Sequence, residues 1–141
     1  MSESVQYIVV RKDLVLKMGI GKTAAQVAHA SLGAVVEKGL VDCSDGYYPV
    51  LGTNLIRGKD VDVWFKGRFT KLVVYVKTKQ KLLNLAQRLD LEKIRYKLIF
   101  DACHTMLEPE EEDGSTLTCM GVIPISRDNV PKCLRKLRLL E

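Results

Sequence analysis

A lysine, a glutamine and a histidine follow one another closely in the sequence, at Lys22, Gln26 and His29. In an α-helix, where successive residues are turned by about 100°, these three side chains fall within an arc of about 60°. Two glycines, Gly19 and Gly21, come just before them and allow positive φ and the close approach of another molecule to the backbone. An ammonium, an amide and an imidazole behind such a turn favour an active site, with an ordinary solvated helix face as the alternative.

A helix that carries these side chains is predicted from Thr23 to Val36, because this segment has no proline and mostly short side chains. We expect a loop from Lys12 to Gly21 before it, and an end near Gly39, which suits a left-handed C-cap. The opposite side of the helix is apolar and consists of Ala24, Ala25, Ala28, Leu32 and Val35. The pattern predicts that this apolar side packs against the protein and that the polar side is presented to a ligand.

A phosphate-binding loop is a competing interpretation of the same residues. Gly21 to Thr23 has the sequence that ends such a loop, and Leu98 to Asp101 resembles an apolar strand that ends in a metal-binding aspartate. However, Leu16 occupies the position of the first glycine, and such a loop needs a strand directly before it. Nucleotide hydrolysis is therefore the less favoured interpretation.

A second group of reactive side chains begins at Asp101, which follows a predicted strand and is followed by His104 and Thr105. Open α/β sheets place ligands beyond the carboxyl ends of their strands, which makes Asp101 a candidate base or water-orienting group. Cys103 next to His104 offers a Cys–His nucleophilic pair as an alternative. In an extended chain these two side chains would point to opposite sides, so Asp101 is the favoured catalytic group.

The length and composition indicate one domain, residues 1–141, of a soluble intracellular protein. No apolar run approaches the about 18 residues of a membrane span, and the N-terminus lacks a signal-peptide pattern. Four cysteines are irregularly spaced and only two histidines accompany them, which predicts reduced thiols and neither a zinc site nor a disulfide framework. The cysteines are Cys43, Cys103, Cys119 and Cys133.

The charge distribution favours a polyanionic partner, of which nucleic acid is the commonest. The chain has a net charge of +5, and five of its acidic residues lie between positions 108 and 113. Without those five negative charges, the remainder carries +10. RNA is therefore a candidate partner, although many basic proteins have no nucleic-acid role.

Four strands are predicted from runs rich in β-branched and aromatic residues. They are Val5–Arg11, Lys71–Lys77, Tyr96–Phe100 and Thr116–Ile123. Thr78 is a candidate N-cap for a helix whose core positions are Leu82, Leu85, Ala86 and Leu89. A last helix is predicted to begin near Ser126 or Asp128, with Val130, Leu134 and Leu137 as its core stripe.

This order of elements predicts the α/β class, as a three-layer α/β/α sandwich with a four-stranded mixed β-sheet. Two crossovers and one direct connection between strands cannot make all four strands parallel. Residues 40–70 have no regular period and are expected to form an irregular insertion or lid, which can contain a short helix.

Taken together, these residues resemble the type II peptidyl-tRNA hydrolases of archaea and eukaryotes. The first motif of that family reads much like Met18-Gly19-x-Gly21-Lys22-x-Ala24-Ala25-Gln26-x-x-His29-Ala30. The second motif, Asp-Ala-Gly-Arg-Thr-Gln, is similar to residues Asp101 to Met106, and Thr118 to Gly121 with Pro124 is similar to the family's final strand. Residues Leu137 to Leu140 also resemble the family's C-terminus.

The resemblance implies hydrolysis of the ester that joins a peptide to tRNA, in the cytoplasm, by a homodimer without metal or organic cofactor. It implies catalytic roles for Lys22, Gln26, His29, Asp101 and Thr105. Asp101 would orient or activate water, and Lys22 or helix amides would stabilise the oxyanion. His29 has bracing of the helix as an alternative role. Candidate tRNA-binding residues are Lys17, Lys22, Arg68 and Lys71.

Some residues depart from the family pattern. Cys103, His104 and Met106 stand where the family has glycine, arginine and glutamine, and Glu110–Asp113 replaces a short proline-glycine turn. The loss of an arginine and the added negative charge would both weaken the binding of tRNA. They leave a non-catalytic tRNA-binding or RNA-binding relative, or a regulatory one, as the alternative function.

Overall fold

A computed structural model describes residues 3–36, 58–104 and 106–141 of the chain. The predicted helix end near Gly39, most of the predicted insertion at 40–70 and the candidate Thr105 lie outside these residues. The part of the insertion that is described contains a helix, Gly58–Lys66.

The elements follow the predicted order, with short additions. They are β1 Ser4–Arg11, a 3-10 turn Lys12–Leu14, α1 Val15–Gly33, α2 Gly58–Lys66, β2 Lys71–Val76, α3 Lys79–Leu91, β3 Tyr96–Asp101, β4 Thr116–Val122, β5 Ile125–Ser126, a 3-10 turn Arg127–Asn129 and α4 Lys132–Arg135.

The sheet has the strand order β2-β1-β4-β3. β1 is parallel to β2 and antiparallel to β4, and β4 is antiparallel to β3. The two-residue strand β5 also pairs with β1, so the predicted mixed sheet is confirmed with one short strand more than the predicted four. Because β1, β2 and β3 run in the same direction, their last residues, Arg11, Val76 and Asp101, lie along one edge of the sheet, called the carboxyl edge below.

Helices cover both faces of the sheet, as the sequence predicted. α1 packs on one face against a cluster that includes Ile8, Val10 and Cys119. On the other face, α3 and the segment around α4 enclose the larger core, to which α3 contributes the four predicted positions Leu82, Leu85, Ala86 and Leu89. Covered on both faces, β1 is buried along its whole length.

The contact between α1 and the sheet is unusually close at Gly121 of β4. A Cβ atom at this position would lie 1.9 Å from the carbonyl oxygen of Ala30 in α1. Only a glycine fits there, because a hydrogen in place of the side chain lets the helix backbone approach the strand.

The predicted start of α1 is wrong. The helix begins at Val15, because Leu14 and Met18 pack with Leu107 and bring the preceding segment into the fold as helix. Gly19 interrupts it with φ 72° and ψ 175°, so the expected glycine turn is a single kink inside the helix rather than a loop from Lys12 to Gly21. The helix ends at Gly33, before the predicted Gly39.

The predicted orientation of α1 is also wrong. Ala24, Ala28 and Leu32 are exposed, whereas the Gln26 side chain is 5% exposed and faces the sheet. Buried polar groups are tolerated where they find hydrogen-bond partners, and Gln26 and Ser31 find theirs on β4 and β1. The side that packs therefore carries Gln26, together with Thr23 and Ser31, while His29 of the predicted polar side is exposed.

The C-terminal helix is shorter than predicted. α4 begins at Lys132, because Pro131 serves as its N-cap and Arg127–Asn129 forms a separate 3-10 turn. Val130 and Leu134 are buried as predicted. The predicted N-cap of α3 is confirmed, since the Thr78 hydroxyl accepts a hydrogen bond of 3.2 Å from the Lys81 amide. Within residues 3–36, 58–104 and 106–141, no helix has the length and apolar character needed to cross a membrane.

Candidate active site

Lys22 and Asp101 form an ion pair at the carboxyl edge of the sheet. The Lys22 Nζ lies 3.1 Å from the Asp101 Oδ1, and the two side chains are 15% and 13% exposed. They meet because α1 crosses β4 and β3 on one face and Asp101 is the last residue of β3. The fold thus brings together one charged residue from each of the two sequence motifs.

Two further groups donate hydrogen bonds to the Asp101 carboxylate. The Cys103 amide donates to Oδ2 over 2.9 Å. The side-chain amide of Gln26 approaches Oδ1 at 3.5 Å, which is at the long limit for a hydrogen bond. The carboxylate is therefore fixed on both oxygens while it keeps a partly exposed position.

Thr118 of β4 orients Gln26. The Thr118 hydroxyl donates to the Gln26 Oε1 over 2.7 Å, so the nitrogen of the amide faces Asp101. Thr118 is fully buried and was not among the residues predicted for the site. The sequence did offer one signal for it, because Thr118 lies in a predicted strand and is followed by the apolar residues Cys119 and Met120. A hydroxyl that is buried in such a strand needs a hydrogen-bond partner.

Cys119 lies beside this group but is unsuited to nucleophilic chemistry. Its thiol donates to the backbone oxygen of Gln26 over 3.3 Å, and burial raises the pKa of the thiol to about 11. The reactive form of cysteine is the thiolate, so this side chain stays inert near neutral pH.

Open space lies in front of the glycine kink. A Cβ atom placed on Gly19 or on Gly21 would have no atom within 4 Å. The helical segment that resumes after Gly19 has first-turn amides without partners in the helix itself. A substrate carbonyl can therefore approach these amides and the neighbouring Lys22.

The other predicted catalytic residues do not all join this group. His29 is exposed, and within the described part of the chain it has no hydrogen bond or ion pair. Thr105 lies outside the described residues. No hydrogen bond joins Cys103 to the exposed His104; the Cys103 sulfur instead lies 3.5 Å from the Asp101 carbonyl oxygen. The alternative Cys–His pair is thus not formed.

The phosphate-loop alternative is not supported. Residues Gly21 to Thr23 lie inside α1 and are preceded by helix rather than by a strand. The Thr23 hydroxyl is buried without a hydrogen-bond partner among the described residues, whereas a phosphate loop presents it to a metal ion.

The predicted tRNA-binding residues divide between two ends of the molecule. Lys17 and Lys22 belong to α1, which follows the carboxyl end of β1, whereas Arg68 and Lys71 lie at the opposite end, where β2 begins. The Lys71 Nζ lies 3.3 Å from the ring centroid of Phe69, and burial lowers the pKa of this lysine. The structure therefore does not bring Lys71 to Asp101.

The acidic segment is bound to the protein's own cations. Glu110 lies 2.6 Å from the buried Arg11 at the end of β1, and Glu111 pairs with Lys79 at the start of α3. The hydrogen bond from Arg11 lowers the pKa of Glu110. Arg11 also bonds Asp13, so its buried guanidinium holds two carboxylates, a role that no pattern in the sequence predicted.

A partly buried carboxylate–ammonium pair at the carboxyl edge of a mixed sheet is typical of α/β enzymes. Residues 4–140 match the family described as Peptidyl-tRNA hydrolase PTH2, and the chain belongs to this family.

Relatives that carry the name "Peptidyl-tRNA hydrolase" are similar to almost the whole chain. The protein of Haloquadratum walsbyi is 34% identical over 95% of this chain and 97% of its own length. That of Saccharolobus solfataricus is 32% identical over 94% and 96%, and that of Methanococcus maripaludis 33% identical over 96% and 97%.

Proposed function

We propose that this chain hydrolyses the ester bond between peptide and tRNA in peptidyl-tRNA, and so recycles tRNA. The observation that carries the proposal is the Lys22–Asp101 pair, 3.1 Å apart, beside the open space at the glycine kink. Membership of the family and the names of the relatives support the same activity.

In this proposal Asp101 orients the attacking water. The carboxylate accepts a hydrogen bond from the water, whose oxygen attacks the ester carbonyl carbon. Because Lys22 and the Cys103 amide already donate to the carboxylate, Asp101 is better suited to hold and polarise the water than to remove its proton completely. The proton lost by the water passes to the ribose oxygen that leaves.

The oxyanion that develops on the carbonyl is stabilised by Lys22 and by the amides that follow Gly19. An ammonium and preorganised N–H groups act where charge develops, which is the commonest large contribution to acyl-transfer catalysis. Gln26, with its amide nitrogen directed to this side, positions the carbonyl or the water. An ester needs no covalent intermediate, so the scheme requires no nucleophilic side chain.

Binding of tRNA is proposed to be electrostatic, with Lys17 and Lys22 near the ester and Arg68 and Lys71 distant from it. The affinity should fall steeply with salt, with a log–log slope of about −0.7 to −0.9 for each phosphate contacted. Titration of tRNA at several salt concentrations measures this slope. An affinity independent of salt would remove the proposal.

A cytoplasmic homodimer is also proposed. The family resemblance supports the dimer, and an exposed apolar stripe on α1, formed by Ile20, Ala24, Ala28 and Leu32, is the candidate surface. Two copies can join such faces about a two-fold axis.

Sedimentation should give twice the chain mass at micromolar concentration, and Leu32→Glu should shift the protein to the monomer. A wild-type monomer would contradict the dimer. The cytoplasmic location is proposed from the irregular spacing of the cysteines, which is typical of reduced thiols, and fractionation of cells would test it.

The activity is tested by release of an N-blocked aminoacyl group from charged tRNA. Asp101→Asn should lower kcat by at least about a hundredfold and leave tRNA affinity nearly unchanged, because the shape stays and the charge is lost. Lys22→Ala should lower kcat by about 10²–10³ and also weaken tRNA binding. Asp62→Asn, the same change on the exposed side of α2, is the matched control and should have no effect.

The outcomes separate the hydrolase from the alternative of a non-catalytic relative. Absence of release by folded wild-type protein on several acyl-tRNAs, with tRNA binding retained, would leave the binding module as the function. Full activity in Asp101→Asn would keep the enzyme and refute the role given to its carboxylate.

A further inference from the structure

A basic groove runs between α3 and α4, on the face of the sheet opposite α1. One part has a volume of about 620 Å³ and an adjoining part about 400 Å³. The two parts share Val76, Lys81, Lys136 and Leu137, so they form one continuous groove. Lys22 and Asp101 do not line it, which makes it a separate surface from the candidate active site.

The groove concentrates positive charge. Six exposed basic residues line it: Lys77, Lys81, Arg88, Lys132, Lys136 and Arg138. Among the described residues that line it, the one carboxylate is that of Glu92, which lies 3.8 Å from Arg88. Within residues 3–36, 58–104 and 106–141, the five lysine and arginine side chains other than Arg88 make no ion pair.

This charge does not stabilise the fold. Lys132 in α4 and Lys136, the C-cap of α4, are four residues apart, the spacing at which like charges on a helix repel each other. Like charges that repel each other and make no ion pair within the described residues indicate a functional surface. The groove also has apolar walls from Val76, Leu85 and Leu137. Cations along an apolar groove suit a chain of phosphates joined by sugars.

The groove reaches the same edge of the sheet as the active site. Lys77 follows the last residue of β2, and three strand spacings separate β2 from β3, which is about 14 Å. Lys12, the residue after β1, lies with its Nζ 4.3 Å from the ring centroid of Tyr75, which lines the smaller part of the groove. Each nucleotide of an RNA carries one phosphate, so an RNA whose 3′ end lies at Asp101 carries its next phosphates across this distance towards the groove.

We propose that the groove between α3 and α4 binds the sugar–phosphate backbone of tRNA while the 3′ end of the tRNA occupies the Lys22–Asp101 site. The proposal rests on the proposed function, since that function supplies the RNA. The contacts are to phosphates, so the groove contributes affinity without selecting bases. It adds a second binding surface to the lysines of α1.

The test compares two double variants that remove the same charge. Lys81→Gln with Lys136→Gln changes the groove, whereas Lys59→Gln with Lys93→Gln changes exposed lysines that do not line it. Binding of uncharged tRNA is measured across a series of salt concentrations. For the groove variant, the log–log slope should be shallower by about 1.4 to 1.8 and the affinity at low salt weaker by on the order of tenfold. The control should keep the wild-type slope.

A second readout uses an N-blocked aminoacyl ester of adenosine, which has no phosphates. The groove variant should hydrolyse it with wild-type kcat/KM, because the groove acts only on the tRNA body. Equal changes of slope in both variants, or loss of activity on the adenosine ester in the groove variant alone, would overturn the groove proposal. If wild type shows a steeper slope than the groove variant but hydrolyses neither substrate, the proposed function is overturned and the groove remains an RNA-binding surface.

Discussion

At the scale of single residues, the site depends on the orientation of one amide. The hydroxyl of Thr118 donates to the Gln26 oxygen, which directs the Gln26 nitrogen to Asp101. If the amide were turned over, its oxygen would face the carboxylate, and two acceptors would repel each other. Thr118 is therefore a positioning residue that acts through Gln26.

We expect Thr118→Val to lower kcat by about tenfold with little change in KM, because the lost hydrogen bond contributes about 1–1.5 kcal/mol. Thr118→Ser keeps the hydroxyl and should keep most of the activity. Thr116→Val is the control, since the Thr116 hydroxyl bonds Glu108 and the Glu110 amide instead of the site. Steady-state kinetics on charged tRNA measures the effect. Equal losses in the serine and valine variants would indicate packing rather than orientation.

Cys103, one of the departures from the family pattern, leaves the site intact. It stands where the family has a glycine and has φ 61°, in the left-handed region that favours glycine. Its amide nevertheless donates to Asp101, as the site needs. The substitution therefore costs some backbone strain and keeps the contact that fixes the carboxylate, which weakens the argument for a non-catalytic relative.

At the scale of elements, the position of α1 depends on its close contact with β4. Lys22 and Gln26 reach Asp101 and Thr118 because the helix backbone rests directly on Gly121, with the Ala30 carbonyl 1.9 Å from where a Cβ would be. A displacement of the helix by the width of a methyl group would separate these pairs.

Gly121→Ala should therefore destabilise the protein by about 3 kcal/mol and lower activity in the fraction that stays folded. Urea unfolding followed by circular dichroism measures the change in the free energy of unfolding. Gly33→Ala is the matched control, because its Cβ would meet Ile99 and Lys97 at an ordinary 3.6 Å. Alanine in a helix is favoured over glycine, so this variant should be neutral or slightly more stable. A Gly121→Ala protein as stable as wild type would refute the close contact.

At the scale of the whole molecule, the acidic segment joins distant parts of the carboxyl edge. Glu110 connects it to Arg11 of β1, and Glu111 connects it to Lys79 of α3. Arg11 also donates to the backbone oxygen of Leu117 in β4. Two of the five carboxylates of the acidic segment are thus paired with the protein's own cations, so the net repulsion of tRNA by this segment is smaller than the sequence suggests.

This network predicts a loss of stability in acid. The Arg11 hydrogen bond lowers the pKa of Glu110 below its usual 4.5, so the unfolded chain binds this proton at a higher pH than the folded chain. The contribution of the Glu110–Arg11 contact to the free energy of unfolding is complete above about pH 4.5. It disappears as the pH falls through the lower pKa that Glu110 has in the folded protein. Urea unfolding from pH 7 to pH 3 should show this decline in wild type and a smaller one in Glu110→Gln. Glu112→Gln, at an exposed position in the same loop, should decline as wild type does. Parallel curves for all three proteins would contradict the assignment to Glu110.

The sequence by itself determined the order of the strands and helices and the residues of the proposed catalytic pair. The strands follow from runs of β-branched residues, and the start of α3 follows from Thr78, whose side chain can satisfy a free amide without help from the rest of the fold. Lys22 and Asp101 were found through motifs that are each local, and the structure places them 3.1 Å apart.

Only the tertiary structure decided which side of α1 is buried. Helical periodicity gives the angles between side chains but leaves open which side meets the sheet, and a hydrophobicity pattern chooses the apolar side. Here Gly121 lets the backbone of α1 approach β4, and Thr118 satisfies the amide of Gln26, so the side that carries Gln26 is buried at low cost. The groove between α3 and α4 was likewise decided only by the tertiary structure. Lys81 and Lys136 are far apart in the sequence and share one surface only because the two helices pack side by side on the sheet.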